Sequence, residues 1–485
     1  MNQQKSISIN AIISGLRQIM SLVFPLITFP YVSGVLGVDN LGKFSFSHSI
    51  IIYFQLLSAL GIATYAVREG AKYRDSRNKI SLFASEVFSI SVITTTISFL
   101  LLTIIIFTNH RLYEYKQILF LLSFIMIFNT FGCEWVYKIY EEYLYIAKRI
   151  LFFQIVSLVL LFLFVRTKDD ILVYTFIIVL SSSGANIVNA LGLRKYCSIS
   201  FCFSKKMWVH LLPMLILFGN SVTTTIYVSS GTTILGFLTS DYNVGIYSVA
   251  AKIYMAVKHI LAHVILVSVP RLSYLWGQNS KIEFESLANK IFSALLIVVL
   301  PSMILLFCLS RDMILVLSTQ SFISATQPLH FLSIALMFSL FSWFFTSSIL
   351  IPCKREGYVL RATCIAALVN LALNFILVPY FKETGAAIAT VFAELSSMLF
   401  CYFCSKDIIK ISIKRNDIVS VFLGCIIIVI ISQLVKYLNF KPFIYIVLTY
   451  SISAICYIKI LLMMGNQTVC ALKNGLVYKM KMFRS

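Results

Sequence analysis

The sequence predicts an all-α polytopic membrane protein with about fourteen transmembrane helices. Of its 485 residues, 59% are hydrophobic and 12% are charged, and the mean hydropathy is +0.90. The apolar residues occur in runs of about twenty, separated by short polar stretches. Roughly twenty helical residues cover a hydrocarbon core of about 30 Å. This composition excludes a water-soluble enzyme or binding domain.

The predicted spans follow one another along nearly the whole chain. The opening stretch MNQQKSISIN has no cleavable signal pattern, so the first span is expected to act as its own insertion signal. The predicted spans are residues 10–33, 42–64, 82–107, 117–138, 149–166, 170–192, 207–233, 244–268, 288–309, 328–351, 358–380, 384–403, 417–437 and 441–463.

Lysine and arginine are distributed unevenly between the two sets of connecting segments. The N-terminal tail, every second loop and the C-terminal tail hold 27 of them, against 9 in the opposite loops. Cytoplasmic loops carry the excess of these residues, so both termini are expected to be cytoplasmic. The net charge of +21 is then a topology signal that also attracts anionic lipid, and nucleic acid is not an expected partner.

Eleven cysteines are scattered through the chain, mostly in spans or on the cytoplasmic side. No outer loop carries a cysteine pair, so no disulfide framework is expected. The CxxC of Cys401 and Cys404 lies at a helix end and is interpreted as packing. No outer loop has room for a soluble catalytic domain. We therefore predict no catalytic residue, no metal site and no cofactor.

An internal repeat is visible at an offset of about 200 residues. NLGKFS at 40–45 matches NVGIYS at 243–248, an offset of 203, and the same offset places Arg68 on Arg271. Further along the chain, GANI at 184–187 matches GAAI at 385–388, an offset of 201. A repeat of six spans, an even number, predicts two parallel six-helix halves. We expect two lobes around a central cationic cavity.

The predicted domains are an N-terminal lobe (1–193), a cytoplasmic linker (194–206), a C-terminal lobe (207–404), and two extra helices with a basic tail (405–485). The pattern of residues 280–291 also predicts a short helix on the membrane surface.

Basic side chains lie inside the predicted spans. Lys252, His259 and His263 share one helical face, and Lys258 points about 120° away. Arg17 falls near the membrane midplane, where a charge costs at least about 2.5–3.5 kcal/mol unless it faces water or a partner. These five residues are candidates for substrate binding in the cavity. Snorkelling, ion pairing or ordinary hydrogen bonding are the alternative explanations.

Four further residues complete the candidate site. His48 and Asn220 are additional substrate-binding candidates, although an asparagine in a span often bonds between helices. Glu134 and Glu394 are the acidic candidates for ion coupling. Glu134 is four residues before Lys138, so a helical ion pair is the simpler interpretation of that carboxylate.

The basic residues outnumber the acidic ones that could line a cavity, and this favours an anionic cargo. Arginine offers a fork of donors to phosphate oxygens and lysine a point charge, so a diphosphate is the obvious ligand. No GxxxxGK[ST] motif occurs. The energy for transport is therefore expected from a proton or sodium gradient, or from removal of the product.

Several stretches resemble a known transporter family. FPYVSGVLGVDNLGKFSFSHSI (29–50), GIATYAVREGAKYRD (61–75), EWVYKIYEEYLYI (134–146) and LNFILVPYFKETGAAIATVFAE (373–394) are similar to polysaccharide transporters of the multidrug/oligosaccharidyl-lipid/polysaccharide exporter superfamily, specifically Wzx-type O-antigen repeat-unit flippases. The resemblance implies a bacterial inner-membrane protein that moves undecaprenyl-diphosphate-linked oligosaccharide from the cytoplasmic to the periplasmic leaflet by alternating access. It implies this lipid-linked substrate, membrane lipids, and polysaccharide polymerase and chain-length proteins as partners.

Three other functions share some of these features. A lipid II flippase has the same number of spans. A multidrug or cation antiporter of the same superfamily would have an acidic cavity and usually twelve spans. A polysaccharide polymerase or ligase would need a sizeable outer loop and would not require the repeat.

Overall fold

The computed structural model describes residues 7–204, 207–266 and 268–470, with most side chains from residue 24 onwards. Every regular element in these ranges is helical. The α-helices are α1 (Ile7–Ala59), α2 (Ile62–Gly70), α3 (Arg77–Thr108), α4 (His110–Tyr113), α5 (Lys116–Gly132), α6 (Glu134–Ile139), α7 (Tyr143–Phe164), α8 (Ile171–Gly192), α9 (Trp208–Leu238), α10 (Asp241–Leu266), α11 (Val269–Gly277), α12 (Lys281–Cys308), α13 (Ser310–Leu317), α14 (Thr326–Phe344), α15 (Glu356–Ser405), α16 (Arg415–Lys436) and α17 (Pro442–Met463).

The described chain has enough apolar helices to confirm the predicted fold class. Eleven helical stretches are long and apolar enough to cross a membrane. Two of them contain a break, at Gly37 (φ 75°) in α1 and at Lys382 (φ 48°) in α15. The apolar helix α5 is shorter, with 17 residues. Counting both halves of the broken helices, together with α5, gives fourteen segments in the predicted order.

The described residues of the range 1–245 form one compact unit. Its central helix α1 packs against α3, α5, α7 and α9, while α8 packs against α5 and α7. A buried aromatic cluster gathers side chains from α2, α3 and α6, among them Tyr65, Phe83, Trp135 and Tyr137. This cluster ties the short helices α2 and α6 to the long ones.

The described residues of the range 246–485 form the second compact unit. Here α14 packs against α15 and α12, and α16 packs against α12 and α17. Val421, Ile428, Tyr457 and Leu461 form a buried cluster with apolar side chains of α12. The two helices beyond the repeat are thus integrated through α12. The predicted lobes are divided at residues 194–206 on the basis of the repeat, whereas the two units are defined by packing. The division into lobes therefore stays a prediction.

The two copies of the repeated motif meet within residues 1–245. A Cβ added to Gly42 would overlap the carbonyl oxygen of Asp241, and a Cβ added to Gly245 would overlap that of Val38. At an offset of 203, Val38 corresponds to Asp241 and Gly42 to Gly245. The contact therefore maps onto itself when the repeats are exchanged, as in an isologous interface. Only glycine allows the two backbones to approach this closely.

The other two matches of the repeat differ in how well their structures correspond. Arg68 lies in α2 and Arg271 in α11, and these nine-residue helices occupy corresponding places in the order of elements. In contrast, GANI lies in the second half of α8, whereas GAAI directly follows the break in α15, so these two stretches are not equivalent. The predicted surface helix at 280–291 is instead the beginning of α12, because no helix breaker separates it from the following span.

Candidate functional site

Lys258 and Glu394 form a buried ion pair in the second unit. Lys258 Nζ lies 2.7 Å from Glu394 Oε1, and the two side chains are 13% and 6% exposed. Tyr254, one turn before Lys258, donates a hydrogen bond of 2.9 Å to the same carboxylate oxygen. Lys258 Nζ also lies 3.3 Å from the Tyr254 hydroxyl. A substrate-binding candidate and an ion-coupling candidate thus neutralise each other.

The other basic candidates of α10 differ in their exposure. Lys252 is half-buried, whereas His259 and His263 are exposed. The two histidines are connected locally, since His263 Nδ1 lies 2.6 Å from the carbonyl oxygen of His259. The structure therefore brings Lys258, and neither histidine, into the buried network with Glu394.

The remaining basic and amide candidates belong to the first unit. His48 is half-buried on the second half of α1 and stacks on Phe44, with ring centroids 5.7 Å apart. Arg17 lies on the first half of α1 and Asn220 on α9. The side chains of Arg17 and Asn220 fall outside the described residues, so their roles stay predictions.

Glu134 is held at a sharp break in the fourth span. The helix α5 ends at Gly132, Cys133 adopts a left-handed conformation (φ 39°, ψ 46°), and α6 begins at Glu134. Glu134 pairs with Lys138 at 2.9 Å, as the four-residue spacing indicates. A left-handed non-glycine residue costs on the order of 1–3 kcal/mol and persists only where its surroundings hold it.

A chain of amides connects α5 to α8 beside this break. Asn186 donates a hydrogen bond of 2.7 Å to Asn129, and Asn189 donates one of 2.9 Å to Asn186. Thr95 and Thr130 share a buried hydrogen bond of 2.6 Å between α3 and α5. These side chains bind one another where hydrocarbon offers no partner, so polar groups are concentrated at this level of the first unit.

Sequence reasoning missed a three-residue hydrogen-bond relay that joins α2, α3 and α9. The Tyr65 hydroxyl lies 2.6 Å from His210 Nδ1, and His210 Nε2 lies 3.0 Å from Glu86 Oε2. The His210 and Glu86 side chains are only 16% and 18% exposed. The sequence shows only that three ionisable residues lie near the ends of predicted spans. This is weak evidence for a relay, because their proximity depends on how the helices pack.

Replacing His210 with Phe is expected to destabilise the protein by about 1–3 kcal/mol, because Glu86 and Tyr65 lose their shared partner inside the packed cluster. The measurement is the thermal unfolding of the purified variant in detergent. Phenylalanine keeps the apolar contact with Phe83, whose ring centroid is 5.5 Å from that of His210. A wild-type melting temperature would show that the relay contributes nothing to stability.

Arg149 is a second residue that the sequence did not single out. Its guanidinium lies between two aromatic faces, 4.5 Å from the ring centroid of Tyr137 and 3.9 Å from that of Tyr145. The residue is only 7% exposed, and its Nε donates to the carbonyl oxygen of Tyr145. Cation–π contacts of this kind are stronger when desolvated. Arg149 therefore fastens the start of α7 to α6.

No group of three or more metal-ligating side chains occurs among the residues that the structure describes. Glu134 and Glu394 each form an ion pair with a lysine, and the ammonium group of that lysine repels a metal ion. The arrangement can therefore hold anionic or neutral polar groups beside lysine, or exchange one partner of an ion pair for another.

A family model described as "Polysaccharide biosynthesis protein" matches residues 7–276, more than half of the chain. The chain belongs to this family. The resemblance to polysaccharide transporters is thereby confirmed. Among curated members of comparable length, a protein of Escherichia coli (strain K12) named "Putative O-antigen transporter" is 24% identical over 405 residues, which cover 81% of this chain and 95% of that protein.

Solved structures support the same fold for this polysaccharide biosynthesis protein. The structure titled "Lipid II flippase MurJ, inward closed conformation" matches with a TM-score of 0.76 and 16% identity, covering 93% of this chain and 98% of that chain. An inward-facing multidrug resistance MATE family transporter matches with a TM-score of 0.57 and 14% identity, covering 80% and 97%. All three relatives are named as transporters or flippases, in agreement with the prediction of a transporter rather than an enzyme.

Proposed function

We propose that the protein is a flippase that moves undecaprenyl-diphosphate-linked oligosaccharide from the cytoplasmic to the periplasmic leaflet by alternating access. It would reside in the bacterial inner membrane with both termini in the cytoplasm. Membership of the polysaccharide biosynthesis family supports the class of transporter. The Escherichia coli protein is named "Putative O-antigen transporter", and the match covers 95% of its length. This similarity supports a surface-polysaccharide repeat unit as cargo.

The single observation that carries this choice of cargo is that each of the two candidate coupling carboxylates is paired with a lysine. Glu394 is bound by Lys258, and Glu134 by Lys138. A cation antiporter needs carboxylates that can accept a positively charged drug, and here an ammonium group already occupies each one. This favours an anionic or neutral head group over a cationic cargo, and so favours the flippase over a multidrug antiporter.

The diphosphate would be neutralised by Arg17 and Lys252, with His48, Lys258, His259, His263 and Asn220 as further contacts. Arginine can bind phosphate oxygens through two parallel hydrogen bonds, and lysine adds a point charge. The polyprenyl chain stays in the lipid phase, because its transfer to water is unfavourable. Membrane lipids are therefore partners throughout the transport cycle, and the polymerase and chain-length proteins receive the product.

Coupling to a proton or sodium gradient would act through Glu394 or Glu134. A coupling ion has to bind differently in the two conformations. At Glu394 it must replace the Lys258 ammonium, which would then be released to another partner. This exchange gives the ion pair a place in the transport cycle without any cofactor.

The test of the proposed function is a clean deletion of the gene in its host. We expect loss of the surface-polysaccharide ladder, accumulation of lipid-linked repeat units on the cytoplasmic leaflet, and restoration by the intact gene. Accumulation on the periplasmic leaflet would indicate a polymerase instead. An unchanged ladder with new drug sensitivity would mean that the cargo is not a lipid diphosphate.

Replacing Arg17 or Lys252 with Ala is expected to lower transport at least tenfold at normal expression, because the diphosphate loses a charged partner worth more than about 1.4 kcal/mol. The measurement is transfer of lipid-linked repeat units across reconstituted vesicles. Lys459 provides a matched control, since it is an exposed lysine within α17. Equal loss in Lys459→Ala, or normal transport by Arg17→Ala, would contradict the role in binding.

A further inference from the structure

A cavity of about 230 Å³ lies inside the first unit, between α1, α2, α3, α5, α6 and α8. A water molecule takes up about 30 Å³ of liquid, so the cavity corresponds to roughly seven or eight waters. That is room for one sugar ring and too little for an oligosaccharide. The predicted topology places the cavity in the cytoplasmic half of the membrane.

The walls of this cavity offer many hydrogen-bonding groups beside an indole. Gln55, Asn129 and Asn186 contribute amides, which each carry both donors and an acceptor. Trp135 contributes an aromatic side chain that is only 6% exposed. A sugar ring presents the matching features, since its hydroxyls donate and accept hydrogen bonds and its C–H faces pack against aromatic rings.

The charge of the cavity favours a neutral part of the head group over the diphosphate. Its two charged side chains, Glu134 and Lys138, form an ion pair of 2.9 Å and cancel each other. A diphosphate would have to displace the carboxylate, and a metal ion or sodium would have to displace the ammonium. A neutral polyhydroxylated group meets neither penalty.

The local backbone also indicates a preformed site. The left-handed conformation of Cys133 (φ 39°) interrupts the helix directly before Glu134 and Trp135, so the two residues begin a new helix beside the cavity. Strained residues of this kind cluster at binding sites, where the surrounding structure holds them. The amide chain from Asn129 through Asn186 fixes the opposite wall.

We propose that this cavity is a sugar subsite, which holds one residue of the oligosaccharide head group while the diphosphate is bound elsewhere. The inference rests on the proposed flippase function and adds the position at which the protein distinguishes one head group from another. Sugar recognition then comes from neutral amides, an ion pair and an indole in the first unit, separately from the cationic residues.

The experiment measures binding of two lipids to the purified full-length protein in nanodiscs. One is the undecaprenyl-diphosphate-linked repeat unit extracted from the host, and the other is undecaprenyl diphosphate without sugar. Ala63→Trp fills the cavity from an exposed wall position, and Ala63→Ser is its matched control. Gln55→Met removes an amide at nearly constant volume and serves as a second, milder variant.

The wild type is expected to bind the sugar-bearing lipid at least tenfold more tightly than the sugar-free lipid. Ala63→Trp should abolish that preference, Gln55→Met should reduce it several-fold, and Ala63→Ser should retain it. Unchanged affinity for the sugar-free lipid demonstrates that each variant is folded. Equal weakening of both lipids by Gln55→Met, or a preference kept by Ala63→Trp, would overturn the subsite.

The same measurement separates the two proposals. A wild-type protein that binds both lipids equally would overturn the sugar subsite and leave the flippase proposal standing. A wild-type protein that binds neither lipid would remove the flippase proposal and the subsite together.

Discussion

Replacing Glu394 with Gln is expected to lower the free energy of unfolding by about 3–5 kcal/mol, because it leaves the Lys258 ammonium buried without its carboxylate. The ammonium lies 2.7 Å from Glu394 Oε1, and its side chain is only 13% exposed. A further substitution, Lys258→Met, should recover most of the loss, since no buried charge then remains. The measurement is denaturant unfolding of the purified single and double variants, arranged as a double-mutant cycle.

The matched control for this experiment is Glu134→Gln. The Glu134–Lys138 pair is also a lysine–glutamate contact, but its side chains are 23% and 31% exposed and lie on one helix four residues apart. Such local pairs contribute only about 0.3–0.5 kcal/mol. A loss of the same size in both single variants would contradict the importance of burial, and a double variant as unstable as Glu394→Gln would contradict the ion pair.

Replacing either Gly42 or Gly245 with Ala is expected to destabilise the protein by about 1–3 kcal/mol and to impair complementation of a deletion strain. Each added methyl group would overlap a backbone carbonyl oxygen, on Asp241 or on Val38, and a backbone atom cannot turn aside as a side chain does. Because the contact is reciprocal between the repeats, the two variants should show similar losses. Thermal unfolding of the purified variants provides the comparison.

Gly357→Ala is the control for the two glycine variants. A Cβ at Gly357 would meet no atom within 4 Å, and the residue lies in the first turn of α15. We expect a wild-type melting temperature or a slight increase, since alanine favours the helix. Strong destabilisation by Gly42→Ala together with a neutral Gly245→Ala would show that the two contacts are not equivalent.

The number and order of the membrane segments could be predicted from the sequence because hydrocarbon restricts the chain to helices of nearly fixed length. The breaks are harder to predict. Gly37 lies at the end of a Gly- and Ser-rich stretch next to the first span, but Cys133 and Lys382 are not residues that favour a left-handed backbone. Their conformations depend on tertiary packing, which no local pattern records.

For the candidate site, the sequence could predict which types of charged residue lie inside the spans, but not most of the contacts between them. Helical geometry separates Lys258 from the face that carries Lys252, but it could not reveal that Lys258 would meet Glu394, which is 136 residues away. The same limit explains why His210 was overlooked, since Glu86 and Tyr65 reach it from distant parts of the chain. Local spacing did predict the contact between Glu134 and Lys138.

The paired charges also determine how the protein responds to the membrane potential. Moving one elementary charge through 100 mV changes the free energy by about 2.3 kcal/mol. The Lys258–Glu394 pair has no net charge, so a helix movement that keeps the pair together performs no net electrical work on it. The voltage dependence of transport should then come from the cargo, from the coupling ion and from the other intramembrane cations. A current measurement across a planar bilayer would therefore report on those charges and not on the motion of the paired side chains.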